Sequence, residues 1–227
     1  MLETNIGPQH PEGLSPVQEE LALKLYQIEA VKFGRFKLKL HESNPEAPMS
    51  PLYINLRMLR RDVEVKTAAV SVYGEMLSLL EFDLLADVPT AATPLVSSLS
   101  DLTGVGMITP RTDNKNYGSG AKVDGMLPTD VGLTAVLIDD LVTGAHSKVE
   151  AADVLIANGI SVRDVVVLVD REQGGQAELD EKGLRLHSAF TMQQMLDLYA
   201  RTGTITQEQY RETVDGINNM NAFLASL

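Results

Sequence analysis

Apolar positions fall into two alternating periods along this chain, and the alternation predicts its architecture. Leu21, Leu25 and Ile28 recur at helical spacing behind Ser15, Pro16 and Gln18, which supply a cap, a first-turn proline and the third position of a capping box. The run predicts a helix that Gly34 ends. Residues 36–40 (FKLKL) alternate and read as a strand. Residues 41–51 (HESNPEAPMSP) form a Pro-rich excursion, and residues 52–59 (LYINLRML) read as a second strand. The pair suggests a small N-terminal hairpin under a helix.

From residue 62 the pattern changes. VEVKTAAVSVYGEMLSLL predicts a long helix, 82–88 (FDLLADV) a short strand ending at Pro89, 93–103 a helix, and 106–110 (GMITP) a strand. Residues 110–125 are polar, Gly-bearing and aperiodic, which reads as a loop. Then come a strand at 134–141, an amphipathic helix at 146–158 stopped by Gly159, a strand at 162–170, and a last strand at 184–190. A helix in TMQQMLDLYART follows, and a C-terminal helix runs to about residue 225. Strands 134–141 and 162–170 are almost wholly apolar, so both faces must be covered. That predicts an α/β fold with a central, mostly parallel sheet flanked by helices. The chain reads as one domain over 1–227. Residues 15–60 form a helix/hairpin hood, 62–190 the core, and 191–227 the C-terminal helices.

Composition narrows the chemistry. Lys and Arg number 19 against 31 Asp and Glu, a net charge of −12, and there is no Cys. Thiolate metal sites and Cys nucleophiles are excluded, and broad nucleic-acid binding, which needs a basic face, is disfavoured. No apolar run approaches the ~20 residues of a membrane span, and the first residues lack the basic start and apolar stretch of a signal peptide. The expectation is a soluble, cytoplasmic protein. His10, His41, His146 and His187 show no metal-ligand spacing. His187 reads as a satisfied core or pocket-edge residue, and Met192, Met195 and Leu196 as core.

The stretch richest in chemistry is AVLIDDLVTGAHS (135–147). An apolar strand delivers Asp139 and Asp140 to a loop of small and hydroxyl residues, Thr143, Gly144, Ala145 and Ser147, with His146 among them, and then a helix begins. Small residues let backbone N–H groups approach an anion, and the helix N-terminus favours negative charge. In parallel sheets ligands sit at this end of a strand. Two readings follow from these residues: a monophosphate cradle beside acids that hold a diol or Mg²⁺, or a strand end with an ordinary helix cap. Neither a Walker A loop nor a Rossmann fingerprint is present.

VLIDDLVTGAHS resembles the phosphoribosyl pyrophosphate motif of type I phosphoribosyltransferases. VVVLVDREQGG (165–175) followed by LRLHSAFTMQQML, KNYGSGAKVDG (115–125), and FGRFKLK (33–39) with SPLYINLR (50–57) narrow the resemblance to the orotate phosphoribosyltransferases. The resemblance implies the type I phosphoribosyltransferase fold. It also implies Mg²⁺-dependent transfer of the 5-phosphoribosyl group from phosphoribosyl pyrophosphate to orotate, giving orotidine 5′-monophosphate and pyrophosphate in UMP biosynthesis. Asp139 and Asp140 would hold the ribose hydroxyls, directly or through Mg²⁺, and Thr143, Gly144, Ala145, His146 and Ser147 the 5′-phosphate. Arg171 would read the orotate carboxylate, Lys39 would lie near the base and diphosphate, and Tyr53 and Ile54 would line the base pocket. Pro89, Thr90 and Ala91 fall in the pyrophosphate loop, and Arg111, Lys115 and Tyr117 in a mobile catalytic loop that reaches the neighbouring subunit of a homodimer. No decarboxylase segment follows, so a stand-alone transferase is expected.

The chain also departs from the family pattern. Ala145 stands for a usual Gly, His146 for a small hydroxyl residue, and Thr112 for a second loop lysine. The pyrophosphate loop lacks a lysine, and residues 41–51 are an insertion. Two alternatives stay open: transfer to another base, and a non-catalytic regulator that binds phosphoribosyl pyrophosphate.

Overall fold

The computed structural model describes residues 13–38, 40–111 and 122–226 of the 227. Lys39, Thr112, Lys115 and Tyr117 lie outside them. The chain divides into two compact units, one of residues 1–14 and 66–192, the other of residues 15–65 and 193–227. The predicted hood and the C-terminal helices thus group together.

That smaller unit begins with α1 (Pro16–Gln27). Its capping box forms as the sequence predicts: Gln18 N–H donates to Ser15 Oγ (3.3 Å) and Ser15 N–H to Gln18 Oε1 (2.9 Å). The helix stops well before Gly34. Glu29 turns left-handed (φ 58°) and Ala30 N–H returns to Leu25 O at 2.9 Å. The freed chain enters β1 (Val31–Phe36), so the first strand lies earlier than the FKLKL pattern suggested. A one-turn helix, α2 (Leu40–Ser43), opens the Pro-rich excursion. β2 (Ser50–Ile54) then pairs antiparallel with β1, with Val31 opposite Ile54 and Phe33 opposite Leu52. Gly34, at φ 154°, sits where the register shifts between Phe33 and Phe36. The second strand ends at Ile54 because Leu56 and Leu59, three apart, are buried from a 3-10 turn, Leu56–Arg60.

Two more helices complete this unit, α7 (Met192–Arg201), which begins one residue outside it, and α8 (Gln207–Leu224). Tyr199 is fully buried among Tyr26 and Phe33, with ring centroids 5.5 and 6.2 Å away, and its hydroxyl donates to Ala22 O at 2.8 Å. Met195 and Leu196 are buried beside it in sequence, as their spacing predicts. Gly216 of α8 lies so near Pro51 that a Cβ there would come within 2.8 Å of the ring.

The chain enters the larger unit along α3 (Val63–Leu77). It continues through β3 (Leu84–Asp87), α4 (Thr93–Thr103), β4 (Met107–Pro110) and β5 (Val123–Asp124). Then follow β6 (Thr134–Val142), α5 (His146–Ala157), β7 (Ser161–Asp170), α6 (Gly175–Asp180) and β8 (Arg185–Thr191). The sheet order is β5-β4-β3-β6-β7-β8, parallel throughout except for the β4/β5 pair. β6 and β7 are central and buried, which is why they read as nearly unbroken apolar runs. β5 is the end of the predicted loop. Arg111 N–H donates to Lys122 O (2.8 Å), and the Arg111 guanidinium grips Asp124 across the pair. The sequence carries no helical signal for α6, since six residues are too few to show a period.

His187 is satisfied, as expected: its Nε2 lies 2.7 Å from Asp164 Oδ1, on the neighbouring strand β7. Among the described residues no helix is long and apolar enough to cross a membrane.

Candidate active site

The carboxyl end of β6 carries the two acids, both nearly inaccessible, with Asp139 at 5% and Asp140 at 9% exposure. Adjacent strand residues point to opposite faces, so the pair serves two different surroundings. α5 buries one face made of Lys148, Ala151, Ala152 and Leu155, a run at positions i, i+3, i+4 and i+7. The only cation on that face, Lys148, places Nζ 2.6 Å from Asp139 Oδ2. Asp139 Oδ1 accepts the Asp140 N–H at 2.8 Å, so both carboxylate oxygens have protein partners. The buried Tyr73 hydroxyl donates to Asp139 O at 2.6 Å and fixes the strand from behind. Burial, helped by the charges of Asp140 and Asp139, holds that phenol well above its ordinary pKa.

Asp140 differs. One oxygen accepts the Leu141 N–H at 2.8 Å. Burial, and then the charge of Asp139, push its pKa up to about 6, with Lys148 pulling the other way. A carboxyl held so high gains from any nearby hydroxyl donor or cation. Among the described residues no third acid or histidine joins the pair as a metal cluster.

The loop after β6 is a backbone cradle. Ala145, the N-cap of α5, makes no side-chain cap bond and is fully buried. Its N–H donates to Glu178 Oε2 at 2.8 Å, while the N–H groups of Gly144, His146 and Ser147 have no hydrogen-bond partner among the described residues. Unpaired helix N-terminal donors are an anion site in waiting. The His146 side chain is 86% exposed and points to Glu150, 3.5 Å away, leaving the cradle to the backbone. Gly175 supports it from below: a Cβ there would overlap Val142 and stand 2.8 Å from Thr143 O. Gly174 before it adopts φ 99°, so the Gly-Gly pair serves a left-handed turn and then a close approach.

Arg171 follows β7, and its N–H donates to Val142 O at 3.0 Å, tying it to the cradle strand. Burial lowers the pKa of its guanidinium, and among the described residues no carboxylate forms an ion pair with it. A desolvated, unpaired guanidinium is a receptor for a planar anion.

Asp87 at the end of β3 is fully buried and accepts hydroxyl hydrogen bonds from Thr93 and Thr109. It anchors the following loop, where Val88 N–H donates to Ile138 O at 2.9 Å, the Pro89–Thr90 peptide is cis, and Thr90 is exposed. Arg111 holds Asp124 through two contacts of 2.7 Å. In the smaller unit Tyr53 is 40% exposed, its ring 5.6 Å from that of Phe36, whereas Ile54 is buried on the opposite face of β2. The larger unit therefore brings Asp139, Asp140, residues 143–147 and Arg171 to one strand end and its neighbours. Lys39, Lys115 and Tyr117 fall outside the described residues.

Three residues of this region went unread in the sequence: Lys148, Glu178 and Asp87. Lys148 had a signal, because a cation occupies the first position of the apolar face of α5. Glu178 and Asp87 had none, since their partners are distant in sequence.

Comparison with known proteins places this geometry. No family model matches the chain. The orotate phosphoribosyltransferase of Caenorhabditis elegans is 32% identical over 206 residues, covering 89% of this chain and 87% of that protein. The uridine 5′-monophosphate synthase of Bos taurus is 34% identical over 91% of this chain, which spans 42% of that longer protein. Among solved structures, that of Leishmania donovani UMP synthase superposes with a TM-score of 0.75 at 32% identity, over 92% of this chain and 42% of that one. With a third of its residues shared along nearly the whole of a stand-alone relative, on a sheet of the same fold, this chain belongs to the orotate phosphoribosyltransferase family.

Proposed function

We propose that this protein transfers the 5-phosphoribosyl group of phosphoribosyl pyrophosphate to orotate, yielding orotidine 5′-monophosphate and pyrophosphate. The observation that carries the reading is the pairing of an anion cradle, whose Gly144, His146 and Ser147 amides have no partner among the described residues, with a half-buried guanidinium that has no carboxylate partner among them, both hung on Val142. The cradle amides of residues 144–147 suit the 5′-phosphate. Asp140, one oxygen of which accepts the Leu141 N–H, suits the ribose hydroxyls, while Asp139 is paired with Lys148 and sets the local charge. Arg171 suits the flat carboxylate of orotate, which a planar guanidinium can hold with two hydrogen bonds.

In the transfer, a ring nitrogen of the base bonds to C1′ as the bond from C1′ to the diphosphate oxygen breaks. Positive charge builds on the sugar and negative charge on the leaving group. An ionised Asp140 holding the ribose hydroxyls would favour that development of charge on the sugar. The resemblance assigns Lys115 to the diphosphate. Two acids alone make a poor metal cage, so Mg²⁺ would be held by the substrate's own diphosphate and hydroxyls with Asp140 as the protein contribution, where it would neutralise the leaving group. A cytoplasmic setting and a homodimer, with residues 110–125 reaching the neighbouring site, complete the proposal. Its test is a comparison of orotate with uracil, which lacks the carboxylate. Rapid consumption of orotate and negligible consumption of uracil supports the assignment of Arg171; equal rates overturn it.

A further inference from the structure

The anion cradle is not vacant: a carboxylate of the protein itself sits in it. Glu178 Oε2 accepts the Ala145 N–H at 2.8 Å. The same carboxylate crowds Gly144, where a Cβ would stand 3.1 Å from Oε1 and 3.6 Å from Oε2. Both oxygens therefore lie against the backbone that the proposed function gives to the 5′-phosphate. Glu178 belongs to the short helix α6, whose start is fixed by the close approach of Gly175 to Thr143, so its side chain is carried to the cradle by the same packing that shapes the loop. Glu178 is exposed at its outer side, so it can leave into water without burying its charge.

We infer that Glu178 is a placeholder that sets the affinity of this cradle for phosphate. The inference rests on the reading of residues 143–147 as a phosphate site. A carboxylate and a phosphate cannot share the Ala145 amide, and their like charges repel at this range. Phosphate binding must therefore displace Glu178, and the apparent affinity is lowered by the share of molecules in which the cradle is occupied. In the unliganded protein the same contact satisfies the Ala145 N–H, one of the donors that the start of α5 leaves without an intrahelical partner.

The test is a titration of the full chain with inorganic phosphate, followed by calorimetry and by the Ala145 amide resonance, for wild type, Glu178→Gln and Glu178→Ala. Glu178→Gln keeps an acceptor for the amide and removes only the charge. The expected result is phosphate binding tightened about 2- to 10-fold in both variants, on the scale of one helix-cap contact. Phosphate should then raise the unfolding temperature further in the variants than in wild type. Unchanged or weaker phosphate binding, with only a lower unfolding temperature, would show Glu178 to be a structural cap and overturn the inference. Absence of phosphate binding in all three proteins would overturn the cradle reading as well. The two failures are thus distinguishable, and neither depends on turnover.

Discussion

Lys148 Nζ lies 2.6 Å from Asp139 Oδ2, and both side chains are almost completely buried, with exposures of 5% and 7%. The pair sits on the inner face of α5 among alanines and a leucine, where an unpaired charge would be costly. Lys148→Met should therefore destabilise the protein by about 3–5 kcal/mol, because it strands Asp139. At this chain length that is a fall in Tm of roughly 6–20 °C. The double variant Lys148→Met with Asp139→Asn should recover most of the loss, since removing both charges of a buried pair is close to neutral. Thermal unfolding of the three variants checks this. Simple addition of the two single effects would mean the pair is not coupled.

Asp140 makes the opposite prediction. Its pKa is raised to about 6, chiefly by burial and next by the charge of Asp139. A carboxyl whose folded value exceeds its unfolded one favours folding fully below the unfolded value and loses that contribution as pH rises through the folded one. At pH 8 the ionised Asp140 is thus a burden. Asp140→Asn, which keeps an acceptor for the Leu141 N–H, should raise Tm at pH 8 by a few degrees, at about 2–4 °C per kcal/mol. The gain should vanish below pH 4, and the variant should lose transfer activity. A Tm gain that persists at low pH would refute the electrostatic cause.

Much of this was written in the chain, and the missing parts share a reason. The strands at 134–142 and 161–170, the capping box at Ser15, and the acid–loop–helix order at 139–147 are local patterns that one segment carries by itself. The shift of β1 to Val31–Phe36 was hidden because Glu29, not a glycine, takes the left-handed turn. The separate fates of Asp139 and Asp140 were hidden because they depend on Lys148, which comes from the next helix. Glu178 reaches the cradle across 33 residues of sequence, and no short-range pattern records that.

Gly175 offers a steric test of the same region. A methyl group there would meet the Val142 side chain and the Thr143 backbone carbonyl, where the chain enters the cradle. Gly175→Ala should cost about 1–3 kcal/mol by overpacking and raise KM for phosphoribosyl pyrophosphate, with a smaller effect on KM for orotate. Gly183→Ala, whose Cβ would meet nothing within 4 Å although its φ is 71°, controls for glycine backbone strain alone. Equal kinetic losses in both variants would argue against the close approach.

Arg171 should act on the base. Arg171→Ala is expected to raise KM for orotate about 10- to 100-fold, the worth of a charge-assisted pair of hydrogen bonds. Arg171→Lys should recover little of it, because a point charge does not reproduce the planar fork. Steady-state kinetics with orotate varied at saturating co-substrate measures this. Full rescue by lysine would point to charge alone.

The transfer itself is read by a stoichiometric assay of the full chain. Orotate, phosphoribosyl pyrophosphate and Mg²⁺ are mixed with the protein, and loss of orotate absorbance is followed beside release of pyrophosphate. One pyrophosphate should appear per orotate consumed, with no turnover of adenine or uracil. Tight binding of phosphoribosyl pyrophosphate without any transfer, or transfer to another base while orotate is left untouched, would contradict it.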